Sequence, residues 1–415
     1  MISSKEPKKH NSNNSRPSKG VRHIKPIRHI MKFPLIQEGL DIFSRNVQVK
    51  MKGLKSYNGD NKYESDEDIC KNIIEACYDK KRGYFRASYG NYKIFYARDF
   101  GWCVQALLNL GYRTEVEDTL RRAMNIYRNC NMITVAISRR EVPFNFPKVY
   151  SPDSVAYMYR SLRILKSQKL LLEYRQFLNE QLKVFESEVI DTDGMLKSRP
   201  FSGMRDHIKA TNLCYDMTMA CMLCDEVDKI NILMGKDFIK NVLKKYDLKK
   251  KLVKHYWNGQ YFYDGLHTKY CSGHANTYPY FLNVITDKKM LQSSIKSIQK
   301  NNLDKPMPLQ YGILPDTKFL WFDVFVHDWE KETVWAMLGL AYIDIVSRFD
   351  KKLAKAYLEQ YHRLILKYQC LIEVYYTHDS DCEPYKSIFF SSDDSMIWAS
   401  MYLDLKNKLK NIEYL

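Results

Sequence analysis

Twelve amphipathic stretches, an alternation of short and long connections, and a scarcity of strand signals predict an all-α fold. The arrangement expected is an (α/α)6 barrel, a toroid of six helical hairpins, preceded by a disordered basic N-terminal tail. Apolar residues recur at helical spacing near 66–79, 99–111, 114–130, 153–166, 168–187, 209–226, 228–246, 275–286, 288–301, 331–348, 350–370 and 392–411. The connections at 111–113, 166–167 and 349–350 are short. Those at 80–98, 131–152, 188–208, 302–330 and 371–391 are long and rich in aromatic and charged residues. Long structured loops usually carry function, and loops opening at one end of a toroid build a single rim. A helical solenoid would repeat at a fixed period, and this sequence has no such period.

The chain divides into three parts. Residues 1–34 hold nine Lys or Arg against one acid, Glu6, and residues 1–20 have almost nothing apolar to bury. This part is expected to be a solubilising basic tail, with nucleic acid not its main partner. Residues 35–65 read as a linker or a short helix, near 35–43, packing on the barrel. Residues 66–415 are the barrel itself, and a 415-residue chain that is 45% hydrophobic is ample for a large core. No hydrophobic run reaches membrane-spanning length, and the N-terminus lacks the apolar region of a signal peptide. Ten cysteines scattered through helical patterns suit a reducing compartment. A cytoplasmic protein with no membrane partner is therefore expected. Cys221 and Cys224 form a CxxC inside a helical stretch with no second pair, which reads as two buried helix cysteines rather than zinc. No metal and no cofactor are expected.

The stretch from Tyr92 to Tyr112, YKIFYARDFGWCVQALLNLGY, organises the rest. Leu107, Leu108 and Leu110 belong to an apolar helix face, and Gly111 is a stop signal. Arg98 and Asp99 stand at the mouth of this helix, where free backbone N–H groups welcome an anion. Around them lie Phe95, Tyr96, Phe100 and Trp102, surroundings that charges avoid unless paired or used. One reading is a cap with a salt bridge; the other is a polar clamp on a hydroxyl-rich ligand in an aromatic pocket. Thirty-one tyrosines suit sugar or nucleobase surfaces and suit an ordinary core equally. Farther on, Asn258-Gly259 inside YWNGQYFY reads as a hairpin turn.

Four segments resemble, in order, motifs of the six-hairpin glycosidase superfamily of glucoamylases, trehalases and amylo-α-1,6-glucosidases. FYARDFGWCVQALLNLGY is similar to its aromatic-x-x-Arg-Asp motif with a following apolar helix; Ala97 stands where a proline is common. Asp193-Gly194 through Phe201-Ser202-Gly203-Met204-Arg205-Asp206, with the helix of Tyr215, resembles the segment bearing the general acid. His274-Ala275-Asn276-Thr277-Tyr278-Pro279 and the run from His327 to Trp335 resemble the sugar-pocket segment, with Glu332 in place of a Gly. Leu371-Ile372-Glu373-Val374-Tyr375, then Asp379 to Tyr385 and Phe389 to Trp398, is similar to the Glu-x-Tyr-Asp segment and last helix. The resemblance spans about residues 66–412. It implies that Arg98 and Asp99 grip hydroxyls of a terminal sugar, that Asp206 is the general acid and Glu373 the general base. It implies a sugar pocket that includes Tyr96, Trp102, His274, Asn276 and Trp335. Glu330 and Glu332 are reserve candidates for the base.

Inverting hydrolysis needs two carboxyls in opposite protonation states, about 6.5–9.5 Å apart so that a water fits. Phe201 and Met204 could supply the apolar wall that keeps Asp206 protonated. Arg205 would oppose this unless its guanidinium points to solvent or another acid. Asp206 also fits an N-cap for the helix at 209–226, Glu373 a solvated loop acid, and Asp393 and Asp394 caps for the last helix. The function expected is a glycoside hydrolase, inverting and exo-acting on α-glucosidic linkages of glucan ends or a disaccharide, with carbohydrate as its partner. The departures at the acid and Gly-Thr-Val-Trp motifs motivate an alternative, a catalytically inactive carbohydrate-binding barrel. The basic tail motivates another, a nucleic-acid-associated protein with salt-steep binding. A sugar epimerase would instead want His207, His274 and His327 facing the pocket.

Overall fold

The computed structural model describes residues 39–40, 42–47, 63–205, 210–312, 329–377, 381–387 and 390–411. The tail at 1–34, most of the linker at 35–65, Asp206, His207 and His327 lie outside them. After a helical piece at 42–47, the chain forms α1 (Asp66–Cys77), β1 (Tyr78–Asp79), β2 (Tyr84–Phe85), β3 (Phe95–Tyr96), α2 (Ala97–Asn109) and α3 (Arg113–Cys130). Then come β4 (Ala136–Ile137), β5 (Pro143–Phe144), α4 (Pro152–Leu165), α5 (Gln168–Val189), α6 (Cys214–Met234) and α7 (Leu248–Tyr256). The last part holds α8 (Tyr278–Phe281), α9 (Lys288–Lys300), β6 (Val334–Trp335), α10 (Ala336–Ser347), α11 (Lys351–Tyr368), β7 (Val374–Tyr375) and α12 (Ala399–Asn411).

Helices α2, α4, α6, α8, α10 and α12 contact one another in that order, and α12 contacts α2. Helix α10, AMLGLAYIDIVS, buries ten of its twelve residues, as a helix surrounded by others must. By contrast α3 buries only one stripe, Val116, Thr119, Leu120, Ala123, Met124, Ile126 and Tyr127. Gly101 lets α2 and α4 approach closely: a Cβ there would stand 2.4 Å from Cβ of Tyr157. Strands are two-residue ladders in the connections. Of these, Trp335 opposite Val374 matters most, because it brings the Glu373 loop to the start of α10.

Among the described residues, side-chain caps occur only on helices outside this circuit, although α3 and α7 there also start without one. Ser65, Ser167, Asp287 and Asp350 cap α1, α5, α9 and α11 with their side chains. No side chain caps α2, α4, α6, α8 or α10. Their first turns leave N–H groups and the positive dipole end available to carboxylates, and Asp99, Asp153 and Asp216 stand in the first turns of α2, α4 and α6.

Three expected elements are corrected. The stretches 209–226 and 228–246 are not a helix pair: α6 runs unbroken through Glu226 to Met234. Glu226, 1% exposed, is held in the core by Arg163 and Lys229 instead of marking a break. Gly235, at φ 107, ends the helix. The stretch 275–286 is helical only at Tyr278–Phe281, stopped by Asn283 in a left-handed conformation. The last helix begins at Ala399, so Asp393 and Asp394 are not its caps. The Asn258-Gly259 turn is present, closed by a Trp257–Phe262 bridge with the Asn258 side chain accepting two N–H bonds.

Candidate active site

The uncapped helix starts converge on one cluster. Arg98 donates from Nε to Asp153 Oδ2 at 2.5 Å, and Tyr215 donates its hydroxyl to the same oxygen at 3.1 Å. One residue on, Asp99 Oδ1 accepts the Trp398 indole N–H at 3.0 Å, joining α2 to the segment that enters α12. Asp99 is half-buried, with protein packed closely around its carboxyl. Burial pushes its carboxyl up to about 6, against the pull of Arg98 and Trp398.

Aromatic rings line this cluster edge to edge. Trp398 meets Trp102 at 6.0 Å, Trp102 meets Tyr278 at 6.2 Å, and Tyr278 meets Tyr215 at 5.4 Å. The chain continues through His274 and Tyr311 to Trp335, 5.5 Å from Tyr311, and to Trp329, 5.0 Å from Trp335. Such rings offer flat apolar faces, and polar groups set among them fix orientation.

Glu373 enters from the other side. Its carbonyl accepts the Ala336 N–H at 3.0 Å, and its Oε2 accepts the Asp393 N–H at 3.0 Å. It is 2% exposed. Burial raises its carboxyl well above the ordinary range, and the charges of Asp393 and Asp99 push the same way. The Tyr92 hydroxyl hydrogen-bonds it and opposes them. Tyr96 lies one ring beyond, edge-on to Tyr92 at 5.9 Å.

Arg205 resolves a conflict posed by the sequence. Its Nη2 reaches both oxygens of buried Asp264, at 2.8 and 2.7 Å, and Nη1 donates to Tyr270 at 3.0 Å. Burial opposes the Asp264 charge, but Arg205 outweighs it and holds that carboxyl below the ordinary range. The guanidinium preceding Asp206 is thus committed to another acid. The helix after it starts at Cys214 with Leu213 at the cap position, so Asp206 is not its N-cap.

Arg98, Asp99, Trp102, Glu373 and Trp335 therefore share one region, whereas two expected sugar contacts, Asn276 and His274, are fully buried. Asn276 is fully buried, and its amide is spent on the backbone of Phe262 and Ser272 and on Ser294. His274 is also sealed: burial and Arg205 lower it to about 3, so it stays neutral. Its Nε2 lies 3.3 Å from Asp264 without hydrogen-bond alignment. Glu330 is buried and Glu332 half-buried in the turn ahead of β6. Sequence reasoning missed Asp153, Asp264, Asp216 and Trp398. Ser151-Pro152-Asp153, a helix-start signature, could have flagged the first. Asp216, with Oδ1 buried and unbonded, is pushed up to about 8 by burial and by Asp153.

Two surface cavities lie away from this cluster. One is a small pit between Tyr84, Phe95, Thr119 and Arg122. The other, about 480 Å³, is an open trough between Thr192, Asp193, Lys245, Tyr246 and Lys251. Neither holds a residue of the carboxylate–aromatic cluster. Among the described residues, no three His, Cys, Asp or Glu are placed to hold a metal, and no helix is long and apolar enough to cross a membrane.

No family model and no curated protein matches the sequence. Solved structures do match the fold. A glycosidase variant in complex with glucose superposes with TM-score 0.62 at 9% identity, over 83% of this chain and 97% of that one. A GH63 mannosylglycerate hydrolase from Thermus thermophilus, in complex with glucose, gives 0.56 at 10%, over 82% and 99%. A rhamnosidase from Klebsiella oxytoca with rhamnose bound gives 0.58 at 12%, over 85% of this chain and 65% of that one, so this chain spans under two thirds of the rhamnosidase. The chain has a helical architecture similar to that of these glycosidases, at identities that speak to fold alone.

Proposed function

We propose that the chain is a glycoside hydrolase on an (α/α)6 barrel, inverting and exo-acting on α-glucosidic ends or a disaccharide. The observation that carries the reading is the convergence of Asp99, Arg98–Asp153 and Glu373 on one aromatic-walled cluster at the starts of the inner helices. In this mechanism Asp99 and Arg98 hold hydroxyls of the terminal sugar, with Trp102, Trp398 and Trp335 as wall. Glu373 takes a proton from water once it is ionised, and its burial, which raises its carboxyl, confines that role to solution alkaline enough to ionise it. Asp206 protonates the leaving oxygen from the far side of the bond. Two neighbours matched over nearly their whole length are in complex with glucose, which supports a glucose-sized subsite. Ten cysteines scattered through the chain support action in the reducing cytoplasm.

A second reading, a carbohydrate-binding barrel without turnover, is favoured by the near-complete burial of Glu373 and the N–H bond already made to its Oε2. A product assay on α-linked glucans and disaccharides with anomer detection separates the two. Hydrolysis with inversion, lost in both Asp206→Asn and Glu373→Gln while the fold persists, is the expected result. Sugar binding without product would install the second reading; turnover that survives Glu373→Gln would remove Glu373 from the mechanism.

A further inference from the structure

The helical piece at 42–47 lies ahead of the hairpins, yet it reaches the candidate site. Arg45 Nη1 donates to Asn91 Oδ1 and Nη2 to Asp394 Oδ1, both at 2.6 Å. The next residue, Asn46, is 2% exposed and accepts the Ser391 N–H at 2.8 Å. Phe43 and Val47 meanwhile stay exposed, so apolar burial is not what seats this piece. Its polar grip falls on the two stretches that frame Glu373, one around Ser88–Asn91 and the other around Ser391–Ser395.

Those stretches form a cage of carboxyls. Asp393 accepts from Ser88 Oγ, the Asn91 N–H and the Ser395 N–H, and its own N–H donates to Glu373. Gly90 is required here, because a Cβ would fall 2.6 Å from the Asp393 carboxylate. Glu373, Asp393 and Asp394 thus stand together in the interior, and Asp99 and the Tyr92 hydroxyl also face Glu373. Three buried carboxyls repel one another, and such a cluster needs a counter-charge. Burial opposes the charge of Arg45, but Asp393, Asp394 and Glu373 outweigh burial and hold its proton more firmly than usual. By linkage, Arg45 favours their ionised forms equally.

We infer that the piece at 42–47 belongs to the active site, where Arg45 is a positioning residue that supplies the counter-charge for Glu373 through Asp394 and Asp393. The inference rests on Glu373 as the proposed base. Without Arg45, Glu373 retains its proton to higher pH and the base is available only in more alkaline solution.

The test uses the full chain with Arg45→Met and Arg45→Lys, reading kcat/KM against pH. Arg45→Met is expected to lose about tenfold at acid pH and recover at alkaline pH, with KM little changed, while Arg45→Lys keeps most of the wild-type profile. If the Met variant does not fold, Arg45→Gln keeps hydrogen-bonding capacity without the charge and takes its place. A profile that superimposes on wild type, or an equal loss at every pH in all variants, overturns the inference. Infrared difference spectra of each variant against its own Glu373→Gln partner follow the Glu373 carboxylate band without turnover. If the wild type cleaves no sugar, the hydrolase reading falls, while a carboxylate band that appears at higher pH in Arg45→Met still upholds the role of Arg45. An unmoved band overturns it.

Discussion

Asp99 is held where a carboxylate is costly, and that cost is what the proposed sugar clamp requires. Its carboxyl rises from an ordinary 3.8 to about 6, chiefly through burial. A folded value above the unfolded one means that the native chain holds this proton more tightly. Stability therefore falls as pH climbs from about 4 to about 6, and the penalty, on the order of 1–3 kcal/mol, persists above that. Asp99→Asn should remove the penalty, so the variant is expected to be more stable than wild type at pH 7 and equal to it near pH 4. The same change should weaken sugar binding by about 1–3 kcal/mol, since a carboxylate acceptor is lost from the proposed clamp. Urea melts at both pH values, with calorimetric titration of glucose, check the two signs. A variant that is less stable at pH 7 would mean that the Trp398 bond outweighs the burial cost. Arg98 and Asp99 were legible in the sequence because charges beside aromatics and an apolar helix stand out locally. Asp153 carried only a helix-start signal, and Trp398 none, because what singles it out is a partner far along the chain: Asp99 and Trp398 are 299 residues apart.

Helix α1 is tied into the molecule at its first residue. Asp66, 3% exposed, accepts Lys406 Nζ at 2.7 Å on both oxygens, the Tyr402 hydroxyl, and contacts His362 Nδ1 at 3.1 Å. One carboxylate thus joins α1 to α11 and α12. Burial works against its charge, but Lys406, Tyr402 and His362 prevail and hold it at about 2. A depressed carboxyl contributes stability that is present above its unfolded value near 4 and is lost as pH falls through about 2. Asp66→Asn is expected to cost about 2 kcal/mol at pH 7, with the difference from wild type shrinking between pH 4 and pH 2. Denaturant midpoints across that range check it, and a pH-independent difference would exclude the carboxylate as the cause. At this scale the one-sided helices α1, α3, α5, α9 and α11 were legible, since a stripe of apolar residues marks them. The misreadings fell where three-dimensional partners override local pattern. Glu226 inside α6 looks like a break until Arg163 on α4 is placed beside it. The Asn276 loop looks helical until its side chain is seen bonded to Phe262.

At the scale of the molecule, the sequence of contacts from α2 through α4, α6, α8 and α10 to α12 returns to α2. A solenoid with the same helices would have two free ends, and removing a terminal repeat would leave the remainder folded. A chain whose last helix packs on α1 and α2 behaves otherwise. Helix α12 covers faces of α1, α2, α10 and α11 at once, and the segment entering it carries Trp398, the partner of Asp99, and Asp393, the partner of Glu373. Ending the chain before Ala399 would strip Tyr402, Leu403, Leu405 and Leu409, all nearly fully buried, from the common core. Each such side chain contributes roughly 1.5–3 kcal/mol by burial, so the four together are comparable to the ordinary net stability of a domain, about 5–15 kcal/mol, and the newly exposed faces of α2 and α10 add to the loss. The truncated chain is therefore expected to lose cooperative unfolding altogether instead of showing a lower midpoint with a folded remainder. Calorimetry with circular dichroism of the truncated and full chains decides it. A sharp transition in the truncated chain, with helix content reduced only by the missing residues, would show that the hairpins stack as independent repeats, and the proposed site at their starts would lose its architectural basis.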